Sequence, residues 1–219
     1  MSLKVEREFD NEYDFINKYG FKYPNNKLSI YYHSNKTAEI QQMYYATNQL
    51  EGYNFYEDLV NTLLKLGFDI RCNILDVASG YYPAFGYEIA GRQLQLNKGT
   101  VTCIDPNLVC TKPFHKNVKL VKDNFTEKYD LNEYDLVVSS LPCEVSYELF
   151  KVLMESQKDF FVYPCNCIPT SLENKTELFW LDLYMYCKDY QNNNKVNKLV
   201  SYKMFKNLYS DNRAILYRK

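Results

Sequence analysis

The chain has 219 residues, 46% hydrophobic and 24% charged, a composition that suits one packed domain and excludes general disorder. Lys and Arg total 26 against 27 Asp and Glu, and the net charge of -1 provides no global field toward nucleic acid or an anionic membrane. No apolar run nears the ~20 residues that cross a bilayer, the polar opening MSLKVEREFD does not read as a signal peptide, and seven cysteines without a CxxC spacing fit a reduced, cytoplasmic protein.

Residues 1–36 are polar and tyrosine-rich, with a turn at Tyr23-Pro24-Asn25-Asn26. Residues 37–50 place Ile40, Met43, Tyr44 and Leu50 at near-helical spacing behind a capping Thr37. Residues 53–66 repeat that pattern through Phe55, Leu59, Val60, Leu63 and Leu64, and Gly67 supplies the stop. Residues 1–52 are therefore expected to form a small helical extension, or a lid, ahead of a main domain over 53–219.

From residue 72 the pattern changes to apolar bursts separated by helices. Strands are predicted at 72–78, 100–105, 117–123, 134–140 and 159–165, with helices at about 84–96, 144–156 and 172–189. Two late segments, 198–205 and 213–219, flank the turn signal Ser210-Asp211-Asn212 and read as an antiparallel hairpin. Gln191-Asn192-Asn193-Asn194 reads as a loop. The alternation predicts an α/β fold, a mostly parallel sheet covered by helices on both faces.

Ligands of such sheets bind beyond the carboxyl ends of the strands. Strand one ends in Asp76-Val77-Ala78-Ser79-Gly80-Tyr81, and strand two in Asp105-Pro106-Asn107. Strand three ends in Asp123-Asn124-Phe125, and strand four in Ser139-Ser140-Leu141-Pro142-Cys143-Glu144. Carboxylates at three successive strand ends suit a nucleoside cofactor with a cationic end. Such a ligand offers an ammonium group, ribose hydroxyls and an adenine amino group as donors. A GxGxxG cradle is absent, which disfavours a dinucleotide.

Residues 74–80 (ILDVASG), 103–105 (CID), 121–124 (VKDN) and 135–142 (DLVVSSLP) resemble motifs I to IV of the class I S-adenosylmethionine-dependent methyltransferases. The resemblance covers roughly residues 53–219. It implies a Rossmann-like seven-stranded sheet with a C-terminal antiparallel hairpin, and S-adenosylmethionine as cofactor. By the same resemblance Asp76, Ala78, Ser79, Gly80 and Tyr81 wrap the cofactor's methionine part. Asp105, Pro106 and Asn107 take the ribose, and Asp123, Asn124 and Phe125 the adenine. Ser139, Ser140, Leu141, Pro142 and Glu144 face the methyl acceptor, with Glu144 placed to receive a proton. Motif I keeps Gly80 alone of the family's two or three glycines, with Ala78 and Ser79 standing in.

Ser140-Leu141-Pro142 is similar to the xLP turns of some amino-group methyltransferases, which points to a nitrogen of a small molecule. An RNA acceptor remains the alternative, from the Gly-x-x-Pro turn at 80–83, as does a catalytically inactive methyltransferase-like binding domain. Tyr31, Tyr32, Tyr44 and Tyr45 belong to the expected lid. No metal is expected: Cys143, Cys165 and Cys167 lack a metal-ligand spacing and read as buried thiols. His33 reads as a loop residue, His115 as part of a solvated basic stretch, and Trp180 as core.

Overall fold

Each central burst is apolar on both faces, so it needs cover on both, and a parallel sheet between helices supplies it. The computed structural model describes residues 55–80, 83–108, 112–113, 115–164, 179–196, 199–204 and 213–218. The expected extension over 1–52, with His33 and the four lid tyrosines, lies outside them. So do Tyr81, Cys110, Cys165 and Cys167, and the side chains of Cys143 and Trp180.

The elements run α1 (Phe55–Lys65), β1 (Asn73–Val77), α2 (Ala84–Gln95), β2 (Thr100–Ile104), β3 (Val118–Val121) and β4 (Leu136–Ser140). A 3-10 turn (Cys143–Val145) leads into α3 (Ser146–Ser156), followed by β5 (Asp159–Tyr163), α4 (Phe179–Asn193), β6 (Leu199–Met204) and β7 (Arg213–Arg218). The seven strands form one sheet in the order β3-β2-β1-β4-β5-β7-β6. β1 to β5 are mutually parallel, and β7 pairs antiparallel with both β5 and β6. This is the Rossmann-like arrangement that the motif resemblance implies.

Alternation along each strand divides the core in two. Ile74, Val101, Val138 and Phe161 pack under α1 and α2 with Leu59, Val60, Leu63, Phe85 and Ile89. Leu75, Val77, Val137 and Val162 pack on the other face under α3 and α4 with Leu149, Phe150, Leu153 and Leu183. Each fully buried Leu, Ile, Val or Phe contributes ~1.5–3 kcal/mol before chain entropy is counted, so the two layers fix the sheet and with it the strand ends.

One element departs from expectation. Gln191, Asn192 and Asn193, read as loop, continue α4. The stop comes at Asn194, whose backbone N–H and side-chain amide both donate to the Tyr190 carbonyl, at 3.0 and 2.9 Å. Polar composition signals exposure here, and the carbonyls of the last turn decide where the helix ends. The basic stretch at 112–122 leads into the edge strand β3, where Lys112, Lys116, Lys119 and Lys122 are all exposed. Lysines on an exposed edge blunt pairing with a second chain.

Candidate functional site

The chain leaves β1 for β2 and β3 on one side, then returns to place β4 on the other. The strand order therefore reverses between β1 and β4, and the crevice beyond their carboxyl ends is the place such a sheet offers a ligand. Register opens that crevice further. The β1–β2 ladder runs to Val77 opposite Ile104, and the β4–β5 ladder to Ser140 opposite Tyr163. The β1–β4 ladder stops earlier, at Asp76 opposite Val138. The Ser139 hydroxyl crosses the parting and donates to the Val77 carbonyl at 2.7 Å.

The turn after β1 is tight. Ala78 has φ +54° and Gly80 has φ +78°, both left-handed, and alanine is a rare occupant of that region. The Ser79 N–H donates to the Ile104 carbonyl at 3.2 Å. The Gly80 N–H donates to Asp105 Oδ2 at 2.9 Å, while Asp105 Oδ1 accepts from the Asn107 N–H at 2.7 Å. Asp105 is thus nearly buried and fixes the turns after both β1 and β2. Pro106 and Asn107 beside it are exposed.

Asp76 is completely buried and points toward α2, where Oδ2 accepts the Gly86 N–H at 3.0 Å. Gly86 allows this approach, since a methyl at its position would stand 3.0 Å from that oxygen. Burial pushes the Asp76 carboxyl up to about 8, with the charge of Asp105 adding to the rise and the Gly86 N–H opposing it. Asp76 Oδ1 and Ser79 Oγ are buried without a hydrogen-bond partner among the described residues. Two such atoms at one turn call for an explanation.

The turn after β4 has the same character. Leu141 has φ +57°, and its N–H donates to the Tyr163 carbonyl at 2.7 Å. The buried Pro142 presents its carbonyl to the Val145 N–H at 3.0 Å, which closes the turn into α3. Ser140 is buried at the last position of β4, and Glu144 is exposed. After β3, Asp123 and Asn124 are exposed, and Asp123 Oδ1 accepts the Asn124 N–H at 2.7 Å. Phe125 is buried, with its ring 5.3 Å from that of Tyr129.

All the expected site residues among those described therefore lie on the carboxyl side of β1 to β4. Gly86 and the Val77 carbonyl join them without having been anticipated. A glycine inside a predicted helix was the available signal for Gly86, because it costs ~1 kcal/mol relative to alanine unless close packing requires it. Two open depressions of about 570 and 560 Å³ lie at the opposite, amino-terminal edge, around Asn73 and Thr100, so they are separate from this crevice. His115 is half-buried on another surface, edge-on to Tyr87 at 5.8 Å, and burial lowers its pKa. Among the described residues no cluster of three metal-ligating side chains occurs, and no helix is long and apolar enough to cross a membrane.

No protein-family model and no curated protein matches the chain. Solved structures do. One is the plantazolicin methyltransferase BpumL in complex with a monoazolic desmethylPZN analogue and SAH, at 12% identity and a TM-score of 0.48, covering 74% of this chain and 81% of that one. Another is precorrin-6y C5,15-methyltransferase from Geobacter metallireducens GS-15, at 13% identity and a TM-score of 0.42, covering 72% and 83%. Human N-acetylserotonin methyltransferase, in complex with SAM, matches at 14% identity and a TM-score of 0.45, covering 84% and 57%. All three are methyltransferases, and at these identities the likeness is one of fold.

Proposed function

We propose that the protein is an S-adenosylmethionine-dependent methyltransferase whose acceptor is a nitrogen atom of a small molecule. The observation that carries this reading is the β1 turn, where Asp76 Oδ1 and Ser79 Oγ are buried and have no hydrogen-bond partner among the described residues, beside a glycine turn held by the strand-two acid. A ligand bearing an ammonium group answers an unpaired buried carboxylate oxygen. The residues present suit the cofactor: Asp76 and Ser79 its methionine part, Asp105 the ribose hydroxyls and Asp123 the adenine amino group. Asp105 already accepts two backbone N–H groups, and each carboxylate oxygen keeps a further lone pair for a hydroxyl. When bound, the cofactor supplies a sulfonium methyl group with a neutral leaving group, so positioning carries much of the acceleration. The protein's own part is to hold the Ala78–Gly80 turn against β2 and to fix the Leu141-Pro142 turn opposite it.

The test of the cofactor is a calorimetric titration with S-adenosylhomocysteine. Wild type is expected to bind. Asp105→Ala is expected to lose about 10–100-fold in affinity, the worth of hydrogen bonds to a charged group, while keeping its fold. Normal binding by that variant would remove the strand-two assignment. An inert wild type, with NAD also inert, would favour a methyltransferase-like scaffold without catalysis.

The nitrogen assignment rests on Ser140-Leu141-Pro142 after β4, where a main-chain carbonyl can accept from an N–H and hold its lone pair in line. Pro142 has no N–H to compete for that carbonyl, and its φ is locked. Pro142→Ala is therefore expected to lower turnover by about 10–100-fold, as small misplacements of an acceptor do, with the cofactor dissociation constant little changed. Equal losses in both would reduce the segment to a structural role. An oxygen or carbon acceptor found in a substrate screen would overturn the nitrogen reading, and an RNA acceptor would overturn the small-molecule one.

A further inference from the structure

Two left-handed non-glycine residues follow neighbouring strands: Ala78 after β1 and Leu141 after β4. Such conformations cost ~1–3 kcal/mol each and persist where the surroundings over-determine them. Each turn is anchored to its outer neighbour, Ser79 N–H to Ile104 O on β2 and Leu141 N–H to Tyr163 O on β5. Those anchors hold each turn to its own half of the sheet. They do not fix one half against the other, because the β1–β4 ladder has ended at Asp76 and Val138.

Ser139 spans that gap. Its hydroxyl donates to the Val77 carbonyl at 2.7 Å, which belongs to the peptide leading directly into Ala78. Ser139 itself stands two residues before Leu141. It is completely buried, and its hydroxyl proton is engaged with the backbone. We infer that Ser139 is a positioning residue: its hydroxyl joins the cofactor turn to the acceptor turn across the strand parting and so holds donor and acceptor in register. The inference rests on the methyltransferase reading and adds to it how the two halves of the site are kept together.

The geometry makes a specific demand. A side chain at 139 must carry a donor on its β-carbon at hydroxyl reach. Threonine keeps that donor, while alanine removes it. A purely structural hydrogen bond would lower stability on removal without selecting the cofactor turn.

The experiment measures S-adenosylhomocysteine affinity by calorimetry, well below each protein's melting temperature, for wild type, Ser139→Ala, Ser139→Thr and Asn117→Ala. Asn117 is the control. Its side-chain amide donates to Ala90 O and Gln93 Oε1 at 3.2 and 3.0 Å, near the amino end of β3 and away from the crevice. Ser139→Ala is expected to weaken binding about tenfold, a loss on the scale of one buried hydrogen bond. Ser139→Thr should return it to within twofold of wild type, and Asn117→Ala should lower the melting temperature with affinity unchanged. Ser139→Ala binding like wild type, Ser139→Thr failing to restore, or Asn117→Ala losing affinity to the same degree would each overturn the inference. Should Ser139→Ala not fold, Ser139→Cys takes its place, since a thiol fills the space and donates poorly. A wild type that does not bind at all would overturn the methyltransferase reading, and the inference with it.

Discussion

Gly86→Ala is expected to lower the melting temperature by about 4–8 °C and to weaken cofactor binding at the same time. In an ordinary helix interior the change would stabilise by ~1 kcal/mol, because alanine loses less backbone entropy. Here the added methyl would overlap Cys103 Sγ, stand 3.0 Å from Asp76 Oδ2 and lie 3.3 Å from Val101 Cγ1. The three neighbours sit on two strands, so α2 has to move off the sheet as a body. Overpacking of this kind costs ~1–3 kcal/mol, occasionally more. Contacts on two strands place this case at the upper end, leaving ~2 kcal/mol of net destabilisation. A chain of this length converts each kcal/mol into ~2–4 °C. Cys103→Ala in the Gly86→Ala background removes the sulfur and should return part of the loss, so the double variant is less destabilised than the two single changes summed. Strict additivity in thermal melts would mean that the helix does not rest on Cys103 as described.

The strand ends were legible because hydrophobic runs bounded by Gly, Pro and Asp mark them without reference to the rest of the chain. Their carboxylates were legible as acceptors. What the sequence did not reveal is that each also holds a backbone amide within the protein itself. Asp76 takes Gly86 N–H, Asp105 takes Gly80 and Asn107 N–H, and Asp123 takes Asn124 N–H. The pairings of Asp76 with Gly86 and of Asp105 with Gly80 depend on where α2 and the neighbouring strand lie, which no local pattern contains. Those of Asp105 with Asn107 and of Asp123 with Asn124 are local turns.

The left-handed turns were hidden for the same reason. Gly80 announces its positive φ, but alanine at 78 and leucine at 141 announce the opposite. Their conformations are imposed by hydrogen bonds to β2, β4 and β5. Local preference lost to tertiary anchoring at these two points, and such local conflicts concentrate where sites are built. Phe125 shows a different limit. The Asp-Asn-Phe spacing gives no direction for the ring, and in the fold it packs against Tyr129.

Asp76→Asn is expected to flatten the fall of stability with pH between about 5 and 8 in the ligand-free protein. An aspartate in the unfolded chain titrates near ~3.9, whereas burial lifts the folded carboxyl to about 8. Between those values the folded protein keeps a proton that the unfolded chain has lost. Stability therefore declines as pH rises through this window and levels off above about pH 8. His115 works in the opposite sense near neutrality, because burial depresses its pKa and the unfolded chain then binds the extra proton. The wild-type curve mixes both, so the difference between wild type and Asp76→Asn is the quantity to measure. Asparagine keeps an acceptor for the Gly86 N–H and carries no charge to desolvate. Its stability relative to wild type should climb from pH 5 to 8 and then hold constant. Parallel curves would mean that Asp76 is already ionised in the fold. Binding provides the complementary measurement. An ammonium group beside Oδ1 favours the carboxylate, so S-adenosylhomocysteine should release a proton near pH 7 from wild type and none from Asp76→Asn. That release is read as a binding heat that depends on the ionisation enthalpy of the buffer. Equal release from both proteins would place the ammonium group away from Asp76.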